Sequence, residues 1–222
     1  CQVHMHVHET ADEVRMSLDN HKMRPLQRLH QLNMLSPALM AVHMTQLQDD
    51  EIELLAANCA HVIHCPQSNM KLASGFCPVD RLLQAGINVA LGTDSSASNN
   101  SQNLLQEMQF AAKLAKGVAA NPQALPAYQA LQMATLNGAR ALGLENLTGS
   151  LVTGKAADIT AIDLGAVNNQ PIYNPVSQIV YAADREDVSH VWVAGKQVLK
   201  DRQLTTLDEH QLLKNAREWQ AK

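Results

Sequence analysis

The sequence predicts an α/β protein in which four successive βα units are followed by a small β-rich module. Two observations predict it. Short apolar runs of β type alternate with longer helical patterns over residues 1–118, and from Gly149 onward the pattern becomes predominantly β. Such alternation is the signature of a parallel sheet with its connecting helices packed around it.

The first 118 residues carry the strands and helices of these units in order. Residues 3–8 are predicted to be the first strand, and residues 12–35 a long, mostly helical stretch. The later strands are 39–43, 61–64 and 87–91, and the later helices are 49–58, a short helix ending at Gly86, and 102–116. Acidic residues begin the helix 49–58, where they suit the positive end of its dipole. Residues 66–75 are too polar for a continuous helix or strand, and we expect either a surface loop or a loop that lines a pocket.

The second part of the chain begins with a further helix. Residues 125–142 carry Ala and Leu at three- and four-residue spacing and stop at Gly143. We expect β segments at 150–152, 157–162, 178–181 and 190–193, a turn at Gly195-Lys196, and a polar C-terminal helix from about residue 207. The predicted domains are 1–143, comprising the βα units and the trailing helix, 144–206, the β module, and 207–222, the C-terminal helix.

Composition and charge exclude several classes of function. The 222 residues suffice for a substantial core, while a net charge of −4 and no run of Lys or Arg give no footprint for nucleic acid. No window approaches the roughly 18 apolar residues of a membrane span, and no signal-peptide pattern is seen, so we expect a cytoplasmic protein without a membrane partner. The spacing of the four cysteines predicts reduced thiols.

Polar residues recur where the apolar runs end. Four βα units amount to half of an eight-stranded barrel, in which functional side chains gather at the C-terminal ends of the strands. His6, His43, His64 and Asp94 each close or directly follow such a run. The chain also opens on Cys1 inside a strand-like segment, so we expect it to be the C-terminal part of a longer protein.

Alternating histidines mark the first of these strand ends. His4, His6 and His8 would share one face of an extended strand. They are either a polar strand face or a metal site, because two alternating imidazoles can bind one ion. Glu9 favours the metal site, because a carboxylate beside a bound metal can carry a proton from water to a leaving group.

Asp94 follows an apolar strand, a glycine and a threonine. Alone it would be interpreted as the cap of the next turn or helix. Together with histidines on neighbouring strand ends, it is more simply interpreted as a metal ligand that also hydrogen-bonds the attacking water.

Three other histidines fall near the strand ends. His43 is either a core residue or a hydrogen-bond donor to the water or the substrate. His61 and His64 are three residues apart and would face opposite ways in a strand, so His64 has the better position for the site.

Several blocks of sequence, in the same order, match a known family. The blocks are His6-Val7-His8-Glu9-Thr10, Val42-His43, His64-Cys65-Pro66 through Ser74-Gly75, Gly92-Thr93-Asp94-Ser95, Met133-Ala134-Thr135 through Gly138-Ala139, and Gly149-Ser150-Leu151 through Ala157-Asp158. In them the chain resembles the amidohydrolase superfamily, in its branch of purine-type deaminases and aminohydrolases. The resemblance implies strands five to eight of a metal-dependent (β/α)8 barrel of the TIM type, followed by a small β-sandwich module.

The resemblance also implies roles for particular residues. It makes His6 the metal ligand of the fifth strand, ahead of His8 and, last, His4, and it makes Glu9 the proton shuttle that also contacts the substrate base. It makes Asp94 the second ligand, which orients the nucleophile and touches the substrate. His43 would be the imidazole that polarises the site without binding metal.

An activity, a cofactor and partners follow from the same resemblance. It implies one zinc ion per site, with iron or manganese as weaker alternatives, and hydrolytic deamination of an adenosine-type nucleoside, 5′-methylthioadenosine or S-adenosylhomocysteine, to the inosine analogue and ammonia. Guanine, cytosine or triazine rings are alternative substrates, and a non-catalytic subunit is an alternative of another class. A homo-oligomer is also implied.

The chain departs from the family pattern in one respect. Family members take two further ligands from a His-x-His on the first barrel strand, which would lie upstream of Cys1. The alternating histidines of this chain cannot replace that pair, because Glu9 follows them. His6 and Asp94 give two protein ligands where a catalytic zinc site has at least three. We therefore expect the N-terminal half of the same enzyme to complete the site.

Overall fold

Four strands form one parallel sheet in the order of the chain. In the computed structural model, which describes residues 2–220, they are β1 (Val3–Val7), β2 (Leu39–His43), β3 (His61–His64) and β4 (Val89–Leu91). The register pairs His6 with Val42, Val42 with Ile63, and Ile63 with Ala90. Because neighbouring strands run the same way, their carboxyl ends meet at one edge, and the predicted order of the four strands is confirmed.

The helices between the strands are α1 (Ala11–His21), α2 (Pro25–Gln31), α3 (Asp49–Ala57), α4 (Pro66–Lys71), α5 (Val79–Gln84) and α6 (Leu104–Ala119). The helical stretch predicted over residues 12–35 is two helices, because Lys22 turns left-handed at φ 58° and Pro25 begins a new helix. The loop predicted over residues 66–75 begins instead as α4, with Pro66 in its first turn.

The trailing helix is also divided. Residues 125–142 form α7 (Ala127–Met133) and α8 (Leu136–Ala141). Thr135 separates them in a non-helical conformation, with its hydroxyl donating to the Leu131 carbonyl at 2.7 Å. Back-bonding of this kind competes with the helical hydrogen bonds, so the periodic Ala and Leu pattern did not extend to one continuous helix.

Apolar side chains cover both faces of the parallel sheet, as expected for strands with near-continuous apolar runs. All five residues of β2 are buried. One face packs against the helices in the main core, whose members include Leu26, Leu39, Ala41, Leu55, Val62, Leu82, Val89 and Met108. The other face carries a smaller cluster of Met40, Val42, Ile63, Cys65, Ala90 and Ala141. The sheet is thus a rigid support for residues at its carboxyl edge.

A second, antiparallel sheet lies later in the chain. Its strands are β5 (Ile159–Ile162), β6 (Val188–Val193), β7 (Lys196–Lys200) and β8 (Gln203–Leu204), hydrogen-bonded in that order. Ala194 and Gly195, at φ 49° and 76°, make the tight turn between β6 and β7. The strands predicted at 157–162 and 190–193 are confirmed within a few residues.

Two predicted strands are wrong. Residues 178–181 end a helix, α9 (Pro175–Tyr181), because the Asn174 side chain accepts from Ser177 N at 3.0 Å and Pro175 begins the helix. Its Val180 is buried in the main core, and this packing overrides the β propensity of the Ile-Val-Tyr run. Residues 150–152 form no strand, because Ser150 is a bend and a turn follows at residues 153–154, and the side chains of Leu151 and Val152 are exposed.

The C-terminal helix predicted from about residue 207 is α10 (Glu209–Gln220), none of whose residues is buried. Cys59, Cys65 and Cys77 are free thiols, and Cys1 lies outside the described residues. Among residues 2–220, no helix has the length and apolar character that a membrane span requires.

Candidate active site

Four of the predicted residues meet at the carboxyl edge of the parallel sheet. His6 lies in β1 and Glu9 follows it, His43 ends β2, and Asp94 lies three residues beyond the end of β4. His43 and Asp94 adopt left-handed backbone conformations, at φ 77° and 59°. Non-glycine residues enter this region at a cost of about 1–3 kcal/mol, so the surrounding contacts must hold them there.

The distances between these side chains suit a shared ion. His6 Nε2 lies 3.9 Å from Asp94 Oδ1, and one ligand atom each of His6, His43 and Asp94 lie within 4.8 Å of one another. Two ligands of a tetrahedral zinc ion at about 2.1 Å lie roughly 3.4 Å apart. Small side-chain movements would therefore bring these atoms to ligand distance.

His43 presents one ring nitrogen to the site. Its Nδ1 lies 2.8 Å from Asn69 Oδ1, an acceptor, so Nδ1 carries the proton. Its buried Nε2 has no hydrogen-bond partner among residues 2–220 and lies 3.8 Å from Glu9 Oε2. In this tautomer Nε2 offers a lone pair to water, substrate or metal, and the predicted donor role requires the ring to be protonated. A buried, unpaired nitrogen beside two carboxylates fits a bound metal or the water that it would hold.

Asp94 is held by hydroxyl groups on one side only. Ser68 Oγ and Ser98 Oγ both donate to Asp94 Oδ2 at 2.6 Å, and Oδ1 remains directed to His6. Burial alone would raise the pKa of Asp94, but these two hydroxyls and the backbone N–H of Ser95 stabilise the carboxylate and leave its pKa below the ordinary value. Asp94 is therefore anionic, with one fixed oxygen and one available oxygen. Sequence reasoning did not identify Ser68 or Ser98.

Glu9 is held through its main chain. The Glu13 carboxylate accepts from His8 N at 3.0 Å and from Glu9 N at 2.7 Å, and Thr45 Oγ1 donates to Glu9 O at 2.7 Å. Thr10 caps α1 by accepting from Glu13 N at 3.1 Å. With its main chain held in this way, Glu9 places Oε2 of its side chain 3.9 Å from His6 Nδ1. The Thr-x-x-Glu spacing of a capping box was the sequence signal that could have identified Glu13.

His8 does not share the site face, so the prediction that three alternating histidines point the same way is wrong. The strand ends at Val7, and His8 turns left-handed at φ 54°. Its ring is fully buried, its Nε2 accepts from Leu26 N at 3.1 Å, and burial lowers its pKa. Beside it, Arg24 pairs with the buried Glu51 at 2.8 and 2.9 Å. His8 is thus part of the packing between β1 and the helices.

The remaining histidines lie outside the group of ligand atoms. His64 is buried near His43, and burial, with a smaller effect of His43, lowers its pKa to about 3, so it is neutral. His61 Nδ1 bonds Asn88 Nδ2 at 3.0 Å at the start of β3. His4 is exposed on β1. Of the alternating histidines in the described residues, His6 alone contributes an atom to the group of ligand atoms.

Residues 1–198 match the family model described as the amidohydrolase family. The chain belongs to the amidohydrolase family. The resemblance inferred from the sequence blocks is confirmed. The family match includes every residue of the geometric group described above, from His6 to Asp94.

Similar proteins cover the whole of this chain but are longer than it. It is 52% identical over 221 residues to a 5-methylthioadenosine/S-adenosylhomocysteine deaminase of Teredinibacter turnerae, covering 100% of this chain and 50% of that protein. A zinc-bound crystal structure of an adenosine deaminase from Xanthomonas campestris is 48% identical, with a TM-score of 0.98 over 99% of this chain and 50% of that one. The chain therefore spans about half the length of these relatives.

A more distant structure shares the fold. The zinc complex of atrazine chlorohydrolase from Arthrobacter aurescens is 26% identical, with a TM-score of 0.92 over 98% of this chain and 48% of that one. Two similar structures thus carry zinc, while the reactions in their names differ.

Proposed function

We propose that this chain is the C-terminal half of a zinc-dependent aminohydrolase that deaminates adenosine-type nucleosides, with 5′-methylthioadenosine and S-adenosylhomocysteine as the preferred class. The observation that carries the proposal is the convergence of His6, Glu9, His43 and Asp94 at one sheet edge. The identity of 52% to a deaminase of this class supports the substrate.

His6 Nε2 and Asp94 Oδ1 would hold the metal from this half. The other ligands would come from a His-x-His pair in an upstream half, because a catalytic zinc site needs at least three protein ligands. Zinc bound there would supply Lewis acidity that makes water a nucleophile near neutral pH. Iron or manganese would suit the same His and Asp donors less well than zinc.

The side chains of this half divide the work of proton transfer. Asp94 Oδ1 accepts a hydrogen bond from the attacking water and orients it toward the amine-bearing ring carbon. Glu9 Oε2, between His6 Nδ1 at 3.9 Å and His43 Nε2 at 3.8 Å, takes the proton of that water and gives it to the departing amino group. A C–O bond forms, the C–N bond breaks, and ammonia leaves. His43, with its ring protonated and Nδ1 still donating to Asn69 Oδ1, donates from Nε2 to the oxygen during the addition.

The fold is part of the proposal. The four βα units would form half of an eight-stranded barrel that the upstream half closes, and the antiparallel sheet would form one layer of a small β-sandwich. The same proposal includes a cytoplasmic location, a homo-oligomer and the domain bounds 1–143, 144–206 and 207–222.

The test uses the protein with its upstream half and stoichiometric zinc. Loss of adenine absorbance and release of ammonia from 5′-methylthioadenosine support the proposal, and E9Q should abolish turnover while retaining zinc. The matched control E53Q changes an exposed glutamate of α3 and should leave turnover unchanged. Turnover of guanine, cytosine or a triazine instead would overturn the substrate class. A zinc-loaded protein that turns over none of them, with E9Q indistinguishable from wild type in ligand binding, would favour the non-catalytic subunit.

A further inference from the structure

A buried carboxyl group lies outside every sequence block that points to the site. Glu107, in the first part of α6, has 0% exposure. Its Oε1 accepts from Gln67 Nε2 at 2.8 Å and from Asn99 Nδ2, and its Oε2 accepts from Gln67 N at 3.3 Å. Acidic groups are rarely fully buried, and such burial is costly unless their oxygens are used. All of its donors come from two other segments of the chain.

Those two segments are the ones that hold Asp94. Gln67 directly precedes Ser68 on α4, and Asn99 directly follows Ser98 in the turn after β4. The hydroxyls of both serines donate to Asp94 Oδ2 at 2.6 Å. One carboxyl group in the core thus connects the backbones that carry both hydroxyl groups.

We propose that Glu107 is a positioning residue for Asp94, which it orients by fixing α4 and the turn after β4 relative to each other. The outer contact between these segments is exposed, with Lys71 Nζ donating to Ala97 O at 2.8 Å. Glu107 supplies the buried contact. Without it, Ser68 and Ser98 can move apart, and Asp94 Oδ2 loses one of its two donors.

The chemistry of Glu107 suits this task better than that of an amide. Three N–H groups converge on its two oxygens, and above the Glu107 pKa of about 7 the ionised carboxylate has only acceptors to offer them. In E107Q, the oxygen of the new amide can still accept from the side chains of Gln67 and Asn99. Its NH2 group then faces the backbone N–H of Gln67, which is also a donor. The substitution therefore changes one contact while preserving size and shape.

The role proposed for Glu107 rests on the proposed function only in taking Asp94 as a metal ligand. The zinc affinity of the protein with its upstream half is measured by competition with a chelator. Groups behind metal ligands typically change affinity by about 10–100-fold, and we expect E107Q at the lower end, about tenfold weaker. E51Q removes another buried glutamate, 1% exposed and paired with Arg24, and should lower thermal stability without a comparable change in zinc affinity.

A double-mutant cycle separates positioning from general destabilisation. S68A/S98A should weaken zinc binding by at least as much as E107Q, and adding E107Q to it should cause little further loss, because both act on the Asp94 carboxylate. In the metal-free protein, amide hydrogen exchange over residues 66–71 and 95–103 should be faster in E107Q than in E51Q. This second measurement does not depend on metal or on activity.

The role proposed for Glu107 would be overturned by additive effects in the cycle. It would also be overturned if E107Q kept wild-type zinc affinity while its thermal stability fell. A protein that binds zinc and follows the cycle but deaminates no nucleoside would overturn the proposed function alone. A protein that binds no zinc would overturn the proposed function, and equal hydrogen exchange over residues 66–71 and 95–103 in metal-free E107Q and E51Q would overturn the role of Glu107.

Discussion

Replacing Glu13 by glutamine should slow the proposed deamination without weakening substrate or metal binding. The Glu13 carboxylate accepts the amide hydrogens of His8 and Glu9, at 3.0 and 2.7 Å. In E13Q one carboxylate oxygen becomes NH2, so one of the two backbone amides faces a donor. Glu9 then loses part of the support that directs its side chain between His6 and His43.

The structure sets the size of the effect. A hydrogen bond to a charged group contributes about 1.5–3 kcal/mol, and the partial exposure of Glu13 reduces this to about 1–2 kcal/mol of folding free energy. Catalysis is more sensitive than stability, because a displacement of about 1 Å in a reacting group can cost up to about a hundredfold in rate. Thr45 still holds the Glu9 carbonyl at 2.7 Å, so we expect kcat to fall about tenfold with KM within about twofold.

Steady-state kinetics on the zinc-loaded protein with its upstream half, together with denaturant unfolding, check this expectation. D12N is the matched control, because Asp12 is next to Glu13 but 72% exposed and pairs with the exposed Arg15. Its kcat and stability should stay close to wild type. If E13Q loses stability as expected but keeps wild-type kcat, the support of Glu9 through its main chain is irrelevant to the reaction, and the reasoning fails.

Three further perturbations follow from the same contacts. N69L should lower kcat about tenfold with little change in KM, because His43 Nδ1 loses the acceptor at 2.8 Å. N69D keeps an acceptor and should recover part of the loss. Equal kcat values for the two variants would contradict this reasoning. L39A should cost about 2–5 kcal/mol in urea unfolding because Leu39 is fully buried, whereas L32A, at 57% exposure, should cost far less. Burial raises the pKa of Glu107 to about 7, against the weaker opposing effect of the hydrogen bonds from Gln67 and Asn99. The folded state therefore keeps a proton that the unfolded state releases near pH 4.5. The free energy of unfolding should be greatest below pH 4.5 and fall by about 2–4 kcal/mol as the pH rises through 7. E107Q should flatten this dependence in unfolding curves measured from pH 5 to 8, and an unchanged slope would show that Glu107 is not the group responsible.

Much of the supporting fold could be predicted from local pattern. Apolar runs of four or five residues, buried on both faces, are hard to place anywhere except in a covered parallel sheet, and β1 to β4 follow them within a residue or two. Polar residues at the ends of such runs must then meet at one edge. That argument alone brought His6, His43 and Asp94 together, but it also included His64, which lies outside the group of ligand atoms.

Local pattern failed where tertiary contacts outweighed it. The Ile-Val-Tyr run of α9 has strong β propensity, yet Asn174 caps it as a helix and Val180 packs in the main core. His8 follows the alternation of β1 in sequence, but hydrogen bonding to Leu26 N turns its ring among the helices. Neither partner can be identified from the spacing of residues along one strand.

The sequence by itself determined the family, the order of the parallel strands and the residues that reach the sheet edge, because these depend on apolar periodicity and on motifs only a few residues long. Only the tertiary structure decided how that edge is held. Ser68 meets Asp94 across 26 residues of chain, and Gln67 meets Glu107 across 40. Such contacts depend on how whole βα units pack, and a buried carboxyl group reveals its purpose only through the donors that surround it.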